Sequence, residues 1–147
     1  MKKQTARIVD VKVIHGYMLH IAYTDGRLVY LDMTGVIREY GGFAQLAADA
    51  EEFATVKVAD WGWSIEWRCG ASLDCDRIIE LSLEQSGLMN NVLFRHWQDD
   101  NGLSLVEAAE AIGLTRRTVS QYRTGSRPVP KTVYLACKGW EAMRRAA

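Results

Sequence analysis

Between Thr115 and Lys131 the chain gathers side chains suited to gripping and reading a polyanion. Arg116, Arg117, Ser120 and Gln121 offer guanidinium, hydroxyl and amide groups, the types that read base edges in a duplex groove. Arg pairs with both guanine acceptors and Gln with adenine, each good pair discriminating by roughly 1–3 kcal/mol. Thr115, Thr118, Arg123, Thr124, Arg127 and Lys131 add hydroxyls and cations that suit phosphate oxygens. At about 100° per residue, Arg117, Ser120, Gln121 and Thr124 share one side of a helix, while Val119 and Tyr122 share the other and should point inward. From Ala111 to Trp140 there are six cations (Arg116, Arg117, Arg123, Arg127, Lys131, Lys138) and no acid. Such a one-sign run is the electrostatic footprint of a polyanion partner. Its bland counterpart is a solvated basic face, and for Arg123 a surface or intramolecular ion pair is as good a reading as a phosphate contact.

The elements that must position these groups have local signals. Ser104 is placed to N-cap a helix, and Glu107, three residues on, completes a capping box. Ala108, Ala109 and Ile112 lie on one face of that helix. Gly113 ends it with a positive-φ residue, Leu114 plugs the turn, and Thr115 N-caps the next helix. Helix, tight glycine turn and second helix make the bihelical DNA-binding unit. Pro128 and Pro130 forbid continuation of the second helix and stiffen the loop that carries Arg127 and Lys131. A final helix is expected from Lys131 to Met143, with Val133, Ala136, Trp140 and Met143 inward. A first helix is expected before the pair, with Met89, Val92, Leu93 and Trp97 as its apolar stripe.

The first half reads differently. Arg7–Ile14, Tyr17–Tyr23 and Arg27–Asp32 alternate or are β-rich, and Asp25-Gly26 is a strong hairpin signal, so a three-stranded meander is expected. Phe43–Phe53 should be a short helix with Phe43, Leu46 and Ala47 on one side. Thr55–Ala59 and Trp63–Trp67 should form a second hairpin around Asp60-Trp61-Gly62, with Trp61, Trp63 and Trp67 sharing a face and buried by default. That face could also serve as a ligand or dimer patch. Arg68–Ser72 reads as a loop, and Asp74 as the N-cap of a last short helix containing Ile78, Ile79 and Leu81. Strand signals stop near Glu84–Asn91, which places the boundary between domains of residues 1–85 and 86–147.

Bulk properties agree with this division. At 147 residues, 48% hydrophobic and 24% charged, the chain has room for one ordinary domain or two small ones. Its net charge is zero, but residues 1–83 carry −3 and residues 84–147 carry +3. No apolar run approaches the length of a membrane span, and no signal-peptide core is visible, so a cytoplasmic protein is expected. Cys69, Cys75 and Cys137 give no disulfide framework, and with His15, His20 and His96 scattered no metal spacing appears. Asp74 and Asp76 with His15 or His20 lack a nucleophile or a phosphate-cradling loop, and Gly41-Gly42 is too short to supply one. No catalysis and no cofactor are expected.

The stretch "Leu-Thr-x-x-Thr-Val-Ser-x-Tyr-x-x-Gly" from Leu114 to Gly125, followed by "Arg-Pro-x-Pro", resembles the Cro/phage-repressor helix-turn-helix family over about 55 residues. The resemblance implies base contacts at Arg116, Arg117 and Gln121. It also places Leu105 where that family often has a phosphate-binding Gln, which suggests that Leu105 faces a partner. The first half, through Asp25-Gly26, Gly42-Phe43, Trp67, Gly70, Leu73 and Asp76, resembles a small uncharacterised bacterial α/β domain found in regulators and near toxin-antitoxin genes. The expected fold is therefore an α+β domain, an antiparallel β-meander with short helices, followed by an all-α lambda-repressor-like helix-turn-helix domain. The expected function is sequence-specific binding of double-stranded DNA by a transcriptional regulator, an antitoxin-type autoregulator being one form. A homodimer on a two-fold site is its expected working state. A toxin-like protein or a small ligand are the candidate partners of the first domain. The alternative is a protein-interaction adaptor with a degenerate helix-turn-helix.

Overall fold

Asp25 and Gly26 turn the chain as their types demand. Gly26 takes φ +87°, and the Asp25 carboxylate accepts from the Arg27 amide (3.1 Å) and Nε (2.7 Å). The turn joins β2 (Met18–Tyr23) to β3 (Leu28–Asp32), and β1 (Ile8–His15) pairs with β2 on the other side, all antiparallel in the order β1-β2-β3. Val11, Ile21 and Val29 stand opposite one another, as do Val13, Leu19 and Leu31. Period-two alternation thus sends one set inward, and Leu19, Ile21 and Leu31 are fully buried. The computed structural model describes residues 6–146, and the chain divides between Gln85 and Ser86 into two compact units.

The segment after the meander is more broken than its composition suggests. An unforeseen helix α1 (Thr34–Glu39) precedes a 3₁₀ turn at Gly41–Phe43. The single helix expected over Phe43–Phe53 is two short ones, α2 (Ala44–Ala48) and α3 (Ala50–Phe53). Asp49 causes the break: its backbone is extended (φ −144°, ψ 108°) and its side chain caps α3 by accepting from the Glu51 amide. Phe43 and Leu46 are buried as expected, but Ala47 is exposed.

The second hairpin forms from β4 (Lys57–Ala59) and β5 (Ser64–Glu66). The loop expected at Arg68–Ser72 instead runs into a third strand, β6 (Ser72–Asp74), giving an antiparallel sheet β4-β5-β6. The three tryptophans do not share a buried face. Trp67 is buried and donates its Nε1–H to the Phe53 carbonyl (3.0 Å), Trp63 is half-buried under the Arg7 guanidinium, and Trp61 is 89% exposed. Alternation fails there because Asp60 and Trp61 are in a 3₁₀ turn with positive φ, not in a strand. Asp74 does cap α4 (Cys75–Gln85), accepting from the Arg77 amide (2.7 Å), and Ile78, Ile79, Leu81 and Leu83 are buried. The Gln85 side-chain amide closes this unit by bonding both the N–H and the carbonyl of Asp32 on β3.

The second unit is all helix: α5 (Met89–Asp100), α6 (Leu105–Ile112), α7 (Arg116–Thr124) and α8 (Lys131–Ala146). Phe94, Trp97, Ala108, Ala109, Val119, Tyr122, Val129 and Cys137 form its core. Burying each large apolar side chain there contributes about 1.5–3 kcal/mol. Two stripes differ from expectation. On α5 the buried arc runs through Asn91, Val92, Phe94, Arg95, Trp97 and Gln98, with Met89 exposed and Leu93 half-buried. On α8 Cys137 is buried while Ala136 and Met143 are exposed. Helix α5 meets both α7 and α8, so its buried arc is wider than the apolar spacing alone, whereas α8, meeting α5 and α6, buries Cys137 and half-buries Val133, Tyr134, Trp140 and Glu141. Among the described residues, no helix is long and apolar enough to cross a membrane.

Candidate nucleic-acid interface

The α6–turn–α7 unit is built by caps. Ser104 accepts from the Glu107 amide (3.0 Å), and Glu107 accepts in return from the Ser104 amide (2.9 Å). The Ser104 N–H holds the Glu107 carboxyl below its usual range. Gly113 ends α6 in the left-handed region (φ 73°, ψ 37°), and the Leu114 amide reaches back five residues to the Ala109 carbonyl (2.8 Å). Leu114 packs against the core, and Thr115 then caps α7 through the Thr118 amide (3.1 Å). The fully buried Ala108 leaves room for α7 to lie against α6, and Val119 and Tyr122 fill the contact.

A second set of bonds fixes where α7 ends. Asn91, 1% exposed on α5, donates to the carbonyls of Tyr122 (2.9 Å) and Arg127 (2.8 Å) and accepts from the Val129 amide (2.9 Å). One buried amide thus ties the C-terminal end of α7 and the Pro128–Pro130 loop to α5. Arg95, 4% exposed, donates to the Arg123 carbonyl (2.8 Å). Gln98, fully buried, accepts from the Arg123 guanidinium (3.0 Å). These residues were not foreseen as positioning groups. Asn91, Arg95 and Gln98 repeat at helical spacing, a pattern that reads equally as a solvated side; their burial is offset by bonds to the backbone of α7 and the loops and, for Gln98, to the Arg123 guanidinium.

The structure sorts the expected contact residues. Arg116, Arg117 and Ser120 are exposed on the outward side of α7, with Thr118, Gln121 and Thr124 half-buried along its border. Arg127 and Lys131 are exposed on the loop and at the first turn of α8. Arg123 stands apart. Its guanidinium, with the side chain 13% exposed, bonds Gln98 and pairs with Asp99 (3.0 Å), so the intramolecular alternative describes its placement. The Thr115 and Thr118 hydroxyls lie 2.9 Å apart, so one donates to the other and a single hydroxyl hydrogen remains for an outside acceptor. Thr124 turns its hydroxyl to the Gln121 carbonyl and to Ser126, closing the helix end. Leu105 is half-buried against the core and does not stand out as a partner-facing side chain.

The electrostatics of α7 are unusual. The positive end of the helix dipole carries Arg116 and Arg117, and its first turn has no acid. Cations there oppose the dipole by about 0.3–1 kcal/mol each when exposed. The first turn of α8 also lacks an acid and begins with Lys131. Each of these helix starts combines backbone N–H groups with cations, and that combination attracts anions.

The chain is similar to the crystal structure of a protein described as "putative DNA binding protein NE0471" from Nitrosomonas europaea, with 35% identity and a TM-score of 0.68. That likeness covers 95% of this chain and 89% of the other. No curated protein matches the chain. Residues 8–84 match a family model described as protein of unknown function, DUF2442, and with more than half of its length in that match the protein belongs to the DUF2442 family.

Proposed function

We propose that residues 86–147 bind double-stranded DNA sequence-specifically, laying α7 in the major groove as part of a cytoplasmic transcriptional regulator. The observation that carries this reading is the pair Arg116 and Arg117, exposed at a helix end whose dipole disfavours them. A local conflict of this kind is characteristic of a functional surface, since a phosphate or base acceptor arriving there removes it. Arg116, Arg117, Ser120 and Gln121 read base edges, while Arg127 and Lys131 hold the backbone. Arg123 positions α7 instead of touching DNA. The similarity to NE0471 supports the reading, since it extends over the helical unit. One such module makes few contacts, so the working form is a homodimer on a two-fold site. The chemistry is binding, with no catalytic step.

Selection of bound duplexes from a random pool at physiological ionic strength tests the proposal. Enrichment of a palindromic motif is expected, with affinity falling steeply as salt rises. Binding without enrichment, or binding that ignores salt, would move the helical unit to the role of a protein-interaction adaptor.

A further inference from the structure

The first unit contains a cleft of about 440 Å³ that the DNA reading does not use. Its volume falls within the range of roughly 300–1,000 Å³ typical of small-molecule sites. Phe43, Leu73 and Leu81, all buried, give it an apolar lining. Asp60, Asp74 and Arg77 give it charges of both signs. We propose that this cleft binds a small zwitterion, a free α-amino acid with an apolar side chain. Asp60 and Asp74 take its ammonium group, Arg77 its carboxylate, and the apolar lining its side chain.

Each charged group is already fixed by the fold, so a ligand would not have to order it. Asp60 sits in a left-handed conformation (φ 50°) and accepts from the Ser64 hydroxyl (3.2 Å). Asp74 is held as the cap of α4. The Arg77 guanidinium donates to the Tyr40 hydroxyl (2.8 Å) and to Glu80 (3.3 Å). These bonds leave acceptor capacity on both carboxylates and donor capacity on a guanidinium with five N–H groups. The mixture of signs selects the ligand. A simple cation would meet Arg77, and a simple anion would meet two carboxylates. A molecule carrying both charges close together satisfies both sides, and the apolar lining favours an uncharged third substituent.

Calorimetric titration and thermal melting of the full chain with the free L-amino acids test this without DNA, so the outcome is separate from that of the DNA reading. Leucine, isoleucine, valine or phenylalanine should bind and raise the melting temperature. Their methyl esters and N-acetyl derivatives, each lacking one charge, should bind at least about tenfold more weakly. Asp60→Asn and Asp74→Asn should weaken binding similarly while melting normally without ligand, because Asn tolerates the left-handed region and caps helices well. Should either variant fail to fold, the blocked ligands still decide the matter on the unaltered protein. Silence from all free amino acids at about 10 mM, where even a dissociation constant of about 1 mM would register, overturns the proposal. Equal binding of free and blocked forms overturns it as well.

Discussion

The two units differ in how they handle difficult backbone. Among the described residues of the helical unit every positive φ falls on glycine: Gly87, Gly102, Gly113 and Gly125. In the DUF2442 unit the turn between β4 and β5 forces Asp60 and Trp61, neither of them glycine, into the left-handed region. Polar burial contrasts as well. The helical unit buries Asn91, Arg95 and Gln98 on a single helix and aims their bonds at α7 and the loop after it. The first unit buries Glu52 and Ser64 on separate elements. One unit thus fixes a surface rigidly from beneath with local geometry relaxed. The other holds strain in a turn whose Asp60 lines a cleft.

The largest expected effect separates surface from frame. Arg117→Ala with Gln121→Ala should remove about 2–6 kcal/mol of discrimination between cognate and scrambled duplexes, at roughly 1–3 kcal/mol per pair. The fold should be unharmed, and loss of a cation from the start of α7 should raise its stability by a few tenths of a kcal/mol. Competition binding and thermal melting of the same samples read both numbers. Retained sequence preference would remove α7 from the reading role.

Next is the frame itself. Asn91→Ala leaves a buried amide and two carbonyls without their partner, which should cost about 2–3 kcal/mol. Native-state hydrogen exchange at Val119 and Tyr122 should report that loss, while Leu19 and Ile21 in the meander should exchange unchanged. Equal loss in both regions would mean that the two units do not unfold independently. With α7 and its loop loosened, DNA affinity should fall without a shift in preferred sequence, the opposite of the Arg117/Gln121 result.

What could be read from the sequence follows the same contrast. The caps Ser104, Glu107, Gly113 and Thr115 act within a few residues of themselves, so sequence adjacency carries them, and the meander and its Asp-Gly turn are local in the same sense. Asn91 and Arg123 find partners more than twenty residues away, and no local pattern shows that a polar stripe is turned inward. β6 has no alternating run around it like Thr55–Ala59 or Trp63–Trp67, because Ser72 follows directly on the loop containing Gly70, and it exists by pairing with β5. The tryptophans misled because period two was counted through a turn that is not a strand. Helical angle alone places Arg117 and Ser120 on the exposed side of α7 and Gln121 and Thr124 at its half-buried border, whereas the ion pair of Arg123 depends on Gln98 and Asp99 of another helix.

Two exchanges between alanine, glycine and tryptophan finish the comparison, with opposite signs expected. At Gly113 nothing lies within 4 Å of where a Cβ would stand, so Gly113→Ala tests conformation alone and should cost about 1–2 kcal/mol. Trp61 has nearly the same φ (59° against 73°) but is 89% exposed, so Trp61→Gly removes strain with little packing to lose. Relief of the left-handed penalty should outweigh the added chain entropy of glycine, a net gain of about 0.5 kcal/mol. Exchange protection of the β4 and β5 amides should rise accordingly. A loss there instead would show that the tryptophan ring holds the turn in place, and the Asp60 carboxylate would then owe its position to Trp61 as well as to Ser64.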